Sequence, residues 1–411
     1  MCRLIQVPLL RLINIIHAVY SSISFQSFCH CIIYYTYTLG EVTDLRRERL
    51  PGDRFIWRAL RPILRRPFMK RYNLHAVNAE KLPDPPFLLV GNHAYFIDAA
   101  LIEAFVKYPI VWAVAAGNFK LPLAASILKA AGAIEKRKGV PDVAAMRKIL
   151  RVLKDGGIIG LMPEGSVTWD GEFGEVPPGT EKFLDRVDVP VVAARMNGGY
   201  LTRPRWADHH RWGRIEIVFE VFRGSEALDF LSRSSDWEWQ REKRILFKGR
   251  KRASGIERIV WFCEKCGGFR TIAARGDEAV CAECGAALIV DEYGYISGKS
   301  VPEVLKVQGE LLAAYLSREG SLKVGPGEAV ILNTLTEGIV KVRGEVSIDG
   351  LELKVGERSY RLENARGFST YLKRLNEFNY DRDVIRLKTE HSSYLLYCAY
   401  RILAGPEAAT L

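Results

Sequence analysis

Gly91-Asn92-His93-Ala94-Tyr95-Phe96-Ile97-Asp98 is the stretch on which the fold turns. It follows a short apolar run, Phe87-Leu88-Leu89-Val90, which predicts a buried strand, and precedes Ala99 to Val106, whose spacing predicts a helix. His93 and Asp98 therefore fall on a strand-to-helix turn at the edge of a sheet, where α/β folds place their sites. A carboxylate five positions after a histidine can hold one ring nitrogen, fix the tautomer and leave the other nitrogen to take a proton from a hydroxyl. The same pair also fits a plainer reading, a capped helix start with a hydrogen-bonded histidine.

Three later segments favour chemistry. Ala131-Gly132-Ala133-Ile134-Glu135-Lys136-Arg137 places an arginine after a strand-like run. Ile158 to Gly165 predicts another buried strand running into Met162-Pro163-Glu164-Gly165, and Val189-Pro190-Val191-Val192-Ala193-Ala194 predicts a further one. Four strand ends in order would bring His, Asp, Arg and Glu to one sheet edge.

These blocks resemble the glycerolipid acyltransferase family, best known for its 1-acylglycerol-3-phosphate acyltransferases. Asn92, His93 and Asp98 fit the family's Asn-His-x-Ser-x-x-Asp block; Gly132, Ile134 and Arg137 fit the second. Pro163, Glu164 and Gly165 match Phe-Pro-Glu-Gly-Thr-Arg, with Met162 and Ser166 as mild replacements, and Val189 to Val192 match the fourth block. The resemblance covers roughly residues 60 to 225. Tyr95 stands where the family usually has Ser, and Val167 where it usually has Arg. Arginine makes bidentate bonds to a phosphate that valine cannot, so Arg137, Lys136 or Lys182 would have to compensate.

The resemblance implies an α/β acyltransferase domain in which His93 is the general base and Asp98 steadies the imidazolium, as the carboxylate does in Ser-His-Asp enzymes. The acceptor alcohol itself is the nucleophile. Glu164, Gly165 and Ser166 would belong to the acceptor-binding block, with Arg137 as the cation for a phosphate. The expected reaction moves a fatty acyl group from acyl-CoA or acyl carrier protein to a lysophospholipid, 1-acylglycerol 3-phosphate first. Another lysolipid acceptor and a non-catalytic scaffold binding nucleic acid or a partner stay open.

Composition agrees. At 411 residues the chain has room for more than one domain, and 48% apolar with 26% charged residues rules out a disordered polymer. A net charge of +11 calls for a polyanionic partner: nucleic acid, an anionic membrane surface or a phosphorylated substrate. Arg46, Arg47, Arg49, Arg54, Arg58, Arg61, Arg65, Arg66, Lys70 and Arg71 crowd one segment in which Ile56, Leu60, Ile63 and Leu64 share a helical face. With Phe55 and Trp57 this predicts a helix lying in a membrane interface, kinked at Pro62. Residues 12 to 39 carry no Asp, Glu, Lys or Arg, long enough to span a bilayer, yet they contain many polar residues. A spanning or re-entrant anchor, an interfacial segment and a start codon set too far upstream compete there. The expected location is the cytoplasmic face of the cell membrane, peripheral or held by a single anchor.

Cys263-x-x-Cys266 and Cys281-x-x-Cys284, each followed by Gly, have the spacing of a four-thiolate zinc ribbon with a closed, structural metal. Phe269 to Ala274 and Ala287 to Val290 would be its strands. Cys398 reads as core. Before the ribbon lies a basic run from Arg241 to Arg252; nucleic acid is a poor partner for it, because no aromatic stacking platform accompanies it. Residues 300 to 318 keep helical spacing. From Ser321 short β runs follow (329–332, 338–346, 351–355, 360–362, 384–387), then a closing helix near 392–403, an order resembling a pleckstrin-homology-like roll. The predicted division is an apolar N-terminal segment (1–45), an acyltransferase domain (46–240), a basic linker (241–257), a zinc ribbon (258–292), a helical connector (293–320) and a β-rich C-terminal domain (321–411).

Overall fold

The computed structural model describes residues 65–405, apart from residues 68, 121–124, 127, 130, 138–141 and 334–337. The N-terminal segment 1–45 and the basic amphipathic stretch up to residue 64 lie outside the described residues.

The first sheet has seven strands: β1 (Leu74–Val77), β2 (Phe87–Gly91), β3 (Ile110–Ala115), β4 (Ile134–Lys136), β5 (Ile158–Leu161), β6 (Val191–Asn197) and β7 (Ile215–Phe222). Their order is β1-β7-β6-β2-β5-β3-β4. All neighbours are parallel except β6 and β7. Central β2 is buried on both faces, which is why its sequence is an unbroken apolar run rather than an alternation. Phe87 and Leu89 enter the core that contains Leu101 and Ile102 of the helix Asp98–Glu103. Leu88 and Val90 enter the opposite core, against Ile149 and Leu153 of the helix Val143–Lys154.

Two further sheets follow. β8 (Ile272–Arg275), β9 (Glu278–Cys281) and β10 (Ala287–Ile289) form an antiparallel ribbon with β9 in the middle. Its buried Cys263, Ile272, Cys281 and Val290 join the same core as β2, so the ribbon is fused to the first domain. The basic run expected as a linker is folded as well: Phe247 is fully buried, and Lys248 exchanges two backbone hydrogen bonds with Trp212 (2.7 and 3.0 Å).

The third sheet has the order β14-β13-β12-β11-β17-β16-β15 and is antiparallel throughout. It is built from β11 (Ser321–Asn333), β12 (Ile339–Asp349), β13 (Glu352–Val355), β14 (Arg358–Arg361), β15 (Arg366–Leu372), β16 (Leu375–Tyr380) and β17 (Asp383–Thr389). β11 is longer than its apolar run because pairing with β12 continues past Gly325 and Pro326, across a register shift. Pairing of β11 with β17 begins only at Gly327, so no ladder bond to β17 is asked of Pro326. The helix Ser393–Ala404 closes this sheet, burying Leu395, Leu396, Ala399 and Tyr400.

The helix Val301–Glu319 joins the cores. A Ser300–Glu303 capping box starts it and Gly320, at φ 67°, ends it. Val301 and Val304 pack in the first core, Leu312 and Leu316 in the C-terminal one. Between them Gln308, fully buried, accepts hydrogen bonds from the backbone N–H of Trp261 (2.7 Å) and Phe262 (2.8 Å) and donates to the carbonyl of Phe262 (3.0 Å). Gln308→Leu leaves those backbone groups buried without partners. It is expected to cost about 3 kcal/mol, read as a lowered urea midpoint with the far-ultraviolet spectrum of the native state unchanged.

Candidate active site

The turn after β2 is held from three directions. Buried Asn92 accepts from Met196 N (2.7 Å) and donates to Met196 O (2.9 Å), locking the turn to β6. His93 N donates to Glu164 Oε2 (3.1 Å), and the His93 carbonyl accepts from Thr168 N (2.9 Å), tying it to the segment after β5. Asp98, on the first turn of its helix, faces back to His93: Nδ1 lies 2.8 Å from Asp98 Oδ2, and Tyr95 N donates to the same oxygen (3.0 Å). An acceptor-only carboxylate on Nδ1 places the proton there and leaves Nε2 with its lone pair. The histidine side chain keeps 23% exposure while that of Asp98 keeps 1%, so the imidazole is reachable from solvent and the carboxylate that holds it is not.

Burial pushes the Asp98 carboxyl up; the bond from His93 and backbone N–H groups of Tyr95 and Ala94 oppose this. Glu164 is buried deeply enough that its carboxyl rises to about 8, against bonds from His93 N and Gly174 N, with the nearby Asp98 charge adding to the rise. Two carboxyl groups next to one imidazole thus separate in role: Asp98 is oriented for charge, and Glu164 holds its proton near neutral pH. Glu164 Oε1 is buried without a partner. Gly165, at φ 68°, turns the chain there, its N–H on Met162 O (3.0 Å).

The structure brings His93, Asp98, Glu164, Gly165 and Ser166 together and leaves Arg137 apart. Arg137 follows β4, three strands from β2, roughly 14 Å at ordinary strand spacing. Its side chain, 64% exposed, faces Asp142 (3.6 Å). Tyr95, in the family's Ser position, is 1% exposed, its ring 4.7 Å from Phe96 and its hydroxyl 3.3 Å from His210 Nδ1.

Residues far along the chain complete the surroundings, and motif matching did not reveal them. Arg205 donates to the carbonyls of Val167 (2.6 Å) and Thr370 (2.8 Å), with its guanidinium 4.6 Å from the Trp169 ring centre. Thr370 lies in β15, and its hydroxyl accepts from Trp169 Nε1 (2.9 Å). Ser166 Oγ reaches Thr370 O at 3.5 Å, and Tyr394 stacks on Trp169 at 4.6 Å. The C-terminal domain therefore rests on the segment that follows Glu164. Nearby, burial pushes the His210 imidazole down to about 4, and the surrounding Arg203, Arg71 and Lys373 add to the fall. The density of Arg, His and Trp in Arg203 to Trp212 was the available signal.

The four ribbon sulfurs lie within 4.8 Å of one another. The two knuckles are duplicates: Gly267 N and Gly285 N bond to the carbonyls of Cys263 and Cys281 (2.8 and 3.0 Å), at φ 73° and 70°. Sγ–Sγ separations of 3.6 Å (Cys263–Cys284) and 3.7 Å (Cys266–Cys281) fit a tetrahedral ion with metal–sulfur bonds of about 2.3 Å, which sets sulfurs about 3.8 Å apart. This is a four-cysteine cluster able to hold a metal.

This sheet, with its histidine–aspartate turn, defines an acyltransferase domain, and residues 73–197 match the Acyltransferase family model. Two chloroplast 1-acyl-sn-glycerol-3-phosphate acyltransferases are similar. That of Arabidopsis thaliana is 24% identical over 163 residues, covering 38% of this chain and 45% of the relative. That of Brassica napus is 24% identical over 164 residues, covering 38% and 47%. The chain thus spans less than half the length of these relatives. The crystal structure of the 1-acyl-sn-glycerophosphate acyltransferase from Thermotoga maritima aligns with a TM-score of 0.39 and 18% identity, over 57% of this chain and 95% of that one. The segment that carries His93 and Glu164 is thus an acyltransferase domain similar to those of the glycerolipid acyltransferases.

The Glu164 carboxyl gives a pH test. Its folded-state value lies above the ordinary 4.5, so its neutral form is the one the fold favours. Stability from this group is full below about pH 4.5 and declines as pH rises toward about 8. Glu164→Gln, neutral at every pH, is expected to lack that decline. Relative to wild type, its denaturation midpoint should rise progressively across this window.

Proposed function

We propose that this protein is an O-acyltransferase that moves a fatty acyl group from a thioester donor to the hydroxyl of a lysophospholipid, in first place 1-acylglycerol 3-phosphate. The observation that carries this reading is the 2.8 Å contact of His93 Nδ1 with buried Asp98, on a ring still open to solvent. Nε2 takes the proton of the acceptor hydroxyl as its oxygen attacks the thioester carbonyl. Asp98 stabilises the imidazolium that forms. Collapse of the tetrahedral intermediate expels the thiolate, which recovers the proton from His93, so ester and thiol leave and the enzyme is unchanged. Glu164, bonded through Oε2 to the His93 backbone and neutral near pH 7, holds the turn without adding a second buried charge beside Asp98. Either coenzyme A or acyl carrier protein serves the chemistry as donor.

Arg137 pairs with Asp142 at the far edge of the sheet, and Val167 offers no cation, so the acceptor's phosphate is left to other groups. Arg203, 5.4 Å from the Phe96 ring centre, is a candidate by its place beside the turn. An acceptor with another headgroup is the second reading, and Val167 is its motive. Among the described residues no helix is long and apolar enough to cross a membrane. Peripheral attachment at the cytoplasmic membrane face accords with the basic sequence before the domain.

The cysteine cluster is a structural zinc site in this reading: Cys263, Cys266, Cys281 and Cys284 hold the ion, which stabilises the ribbon and takes no part in acyl transfer. The order of the C-terminal sheet, with β11 paired to both β12 and β17 and a helix closing it, supports a pleckstrin-homology-like roll.

His93→Ala is expected to lower acyl transfer by at least 10³-fold, on the order of general-base catalysis together with its orienting carboxylate. Its metal content and melting curve should match wild type. The measurement incubates protein with a lysolipid panel and labelled acyl thioester and identifies the ester by mass spectrometry; full transfer by the variant would end the assignment. Elemental analysis should find one zinc per chain, absent from Cys281→Ser. Chelation should lower the melting temperature, and zinc should restore it; a chain that melts identically with and without metal contradicts the structural role.

A further inference from the structure

At the edge of the first sheet, before the N-terminal ends of β1 and β7, lies an open groove of about 580 Å³. Lys70, Arg71 and Lys248 line it with Trp212, Ile245 and Leu246, and no carboxylate is among the lining residues. Trp212 is 36% exposed, with the Arg71 guanidinium 3.9 Å above its ring centre and His210 stacked on it at 5.5 Å. Leu246 is 40% exposed although its neighbour Phe247 is fully buried. The backbone bonds between Trp212 and Lys248 fix the two walls to each other, so the cations and the apolar side chains are displayed on a rigid edge.

The groove is joined to the catalytic turn. Tyr72 packs against Trp212 at 6.3 Å and against Tyr95 at 6.2 Å, and Tyr95 is two residues from His93. All the groove's cations and apolar residues fall outside the segment 73–197 that matches the family model, before and after it. Upstream the sequence continues basic, with Arg65 and Arg66 five and four residues before Lys70.

We propose that this groove docks the protein on an anionic phospholipid leaflet, with Lys70, Arg71 and Lys248 against the phosphates and Trp212 and Leu246 in the interfacial layer. A leaflet offers both halves of what the groove displays: a negative surface for clustered cations and a boundary region that takes tryptophan and leucine. Nucleic acid satisfies only the first half, because the groove has one aromatic plane and not the series that successive bases stack on. Docked this way, the turn carrying His93 opens beside the membrane that holds a lysolipid. The proposal deepens the acyltransferase reading by naming the surface from which the acceptor is drawn, and its test does not depend on that reading.

The test floats the purified full-length protein with vesicles of phosphatidylcholine alone and with vesicles that also contain phosphatidylglycerol, at rising ionic strength. Wild type is expected to float with the anionic vesicles only, and to dissociate as salt screens the charges. Arg71→Gln and Lys248→Gln should each lower the partition coefficient about five-fold, and the pair together about 25-fold. Trp212→Ala should weaken binding by an amount that salt does not change. Each variant is checked against wild type by its melting curve, and the cations are separate sites, so one unstable variant leaves the others decisive. His93→Ala should bind vesicles as wild type does even where it transfers no acyl group, which separates failure of the surface from failure of the chemistry. The proposal falls if both glutamine variants float as wild type does, or if neutral vesicles bind equally well. Release by soluble glycerol 3-phosphate would also overturn it, in favour of a discrete headgroup site. Tighter binding to a short DNA duplex than to anionic vesicles would do the same, in favour of nucleic acid.

Discussion

The turn after β2 depends on satisfying polar groups in a place where water is scarce. Buried Asn92 spends both ends of its amide on one residue of β6, and the backbone of His93 is divided between Glu164 and Thr168. A buried polar group without a partner costs about 1–3 kcal/mol, so each of these bonds fixes a distance by penalty as much as by attraction. The outcome is a histidine whose main chain cannot move independently of two neighbouring strands. Its ring then needs only one further partner, Asp98, to be held at Nδ1 with Nε2 outward. Pre-organisation of this kind is what a general base requires, since reorientation during the reaction would add to the barrier.

The same scarcity of water sorts the two acidic side chains. Both are enclosed, burial raises the proton affinity of each, and the Asp98 charge raises that of Glu164 further. Asp98 has a potential cation beside it and two backbone donors, whereas Glu164 has backbone donors only. One therefore supports charge on the imidazole and the other stays neutral next to it. Were both ionised, the turn would carry two buried negative charges against a single imidazolium, an arrangement a low-dielectric site disfavours.

How much of this is legible in the sequence follows from what each part depends on. β2, β5 and β6 are continuous apolar runs, because strands buried on both faces need no alternation, and the His93–Asp98 turn is read from spacing alone. β15 and β16 escape such reading: they are joined by Lys373-Arg374, a turn without Gly, Pro or Asn, and alternate polar with apolar residues only loosely. β9 is missed for a related reason, four residues ending on a cysteine that the metal pattern had already claimed. Arg137 shows a different limit. Its motif position was clear, but strand order is not written in a motif, and β5 and β3 stand between β4 and β2.

Least legible is the arrival of the C-terminal domain at the segment after β5, which joins Trp169 to Thr370 across 201 residues of sequence. Its physical logic is visible only in three dimensions. Arg205 is enclosed, and burial pulls its guanidinium down to about 9. It has no carboxylate among its hydrogen-bond partners and is held by two carbonyls and an aromatic face. One of those carbonyls belongs to Val167, three residues after Glu164, and the other to β15. A single planar donor thus binds the segment after Glu164 and the C-terminal sheet at once, in the geometry that arginine's fork can span. Glu175, farther along the same segment, accepts both arms of Arg401 from the closing helix (2.7 and 2.8 Å). The segment that supports His93 through Thr168 is therefore shaped on its outer side by a different domain, and the loop that sets the histidine's backbone is packed between the two.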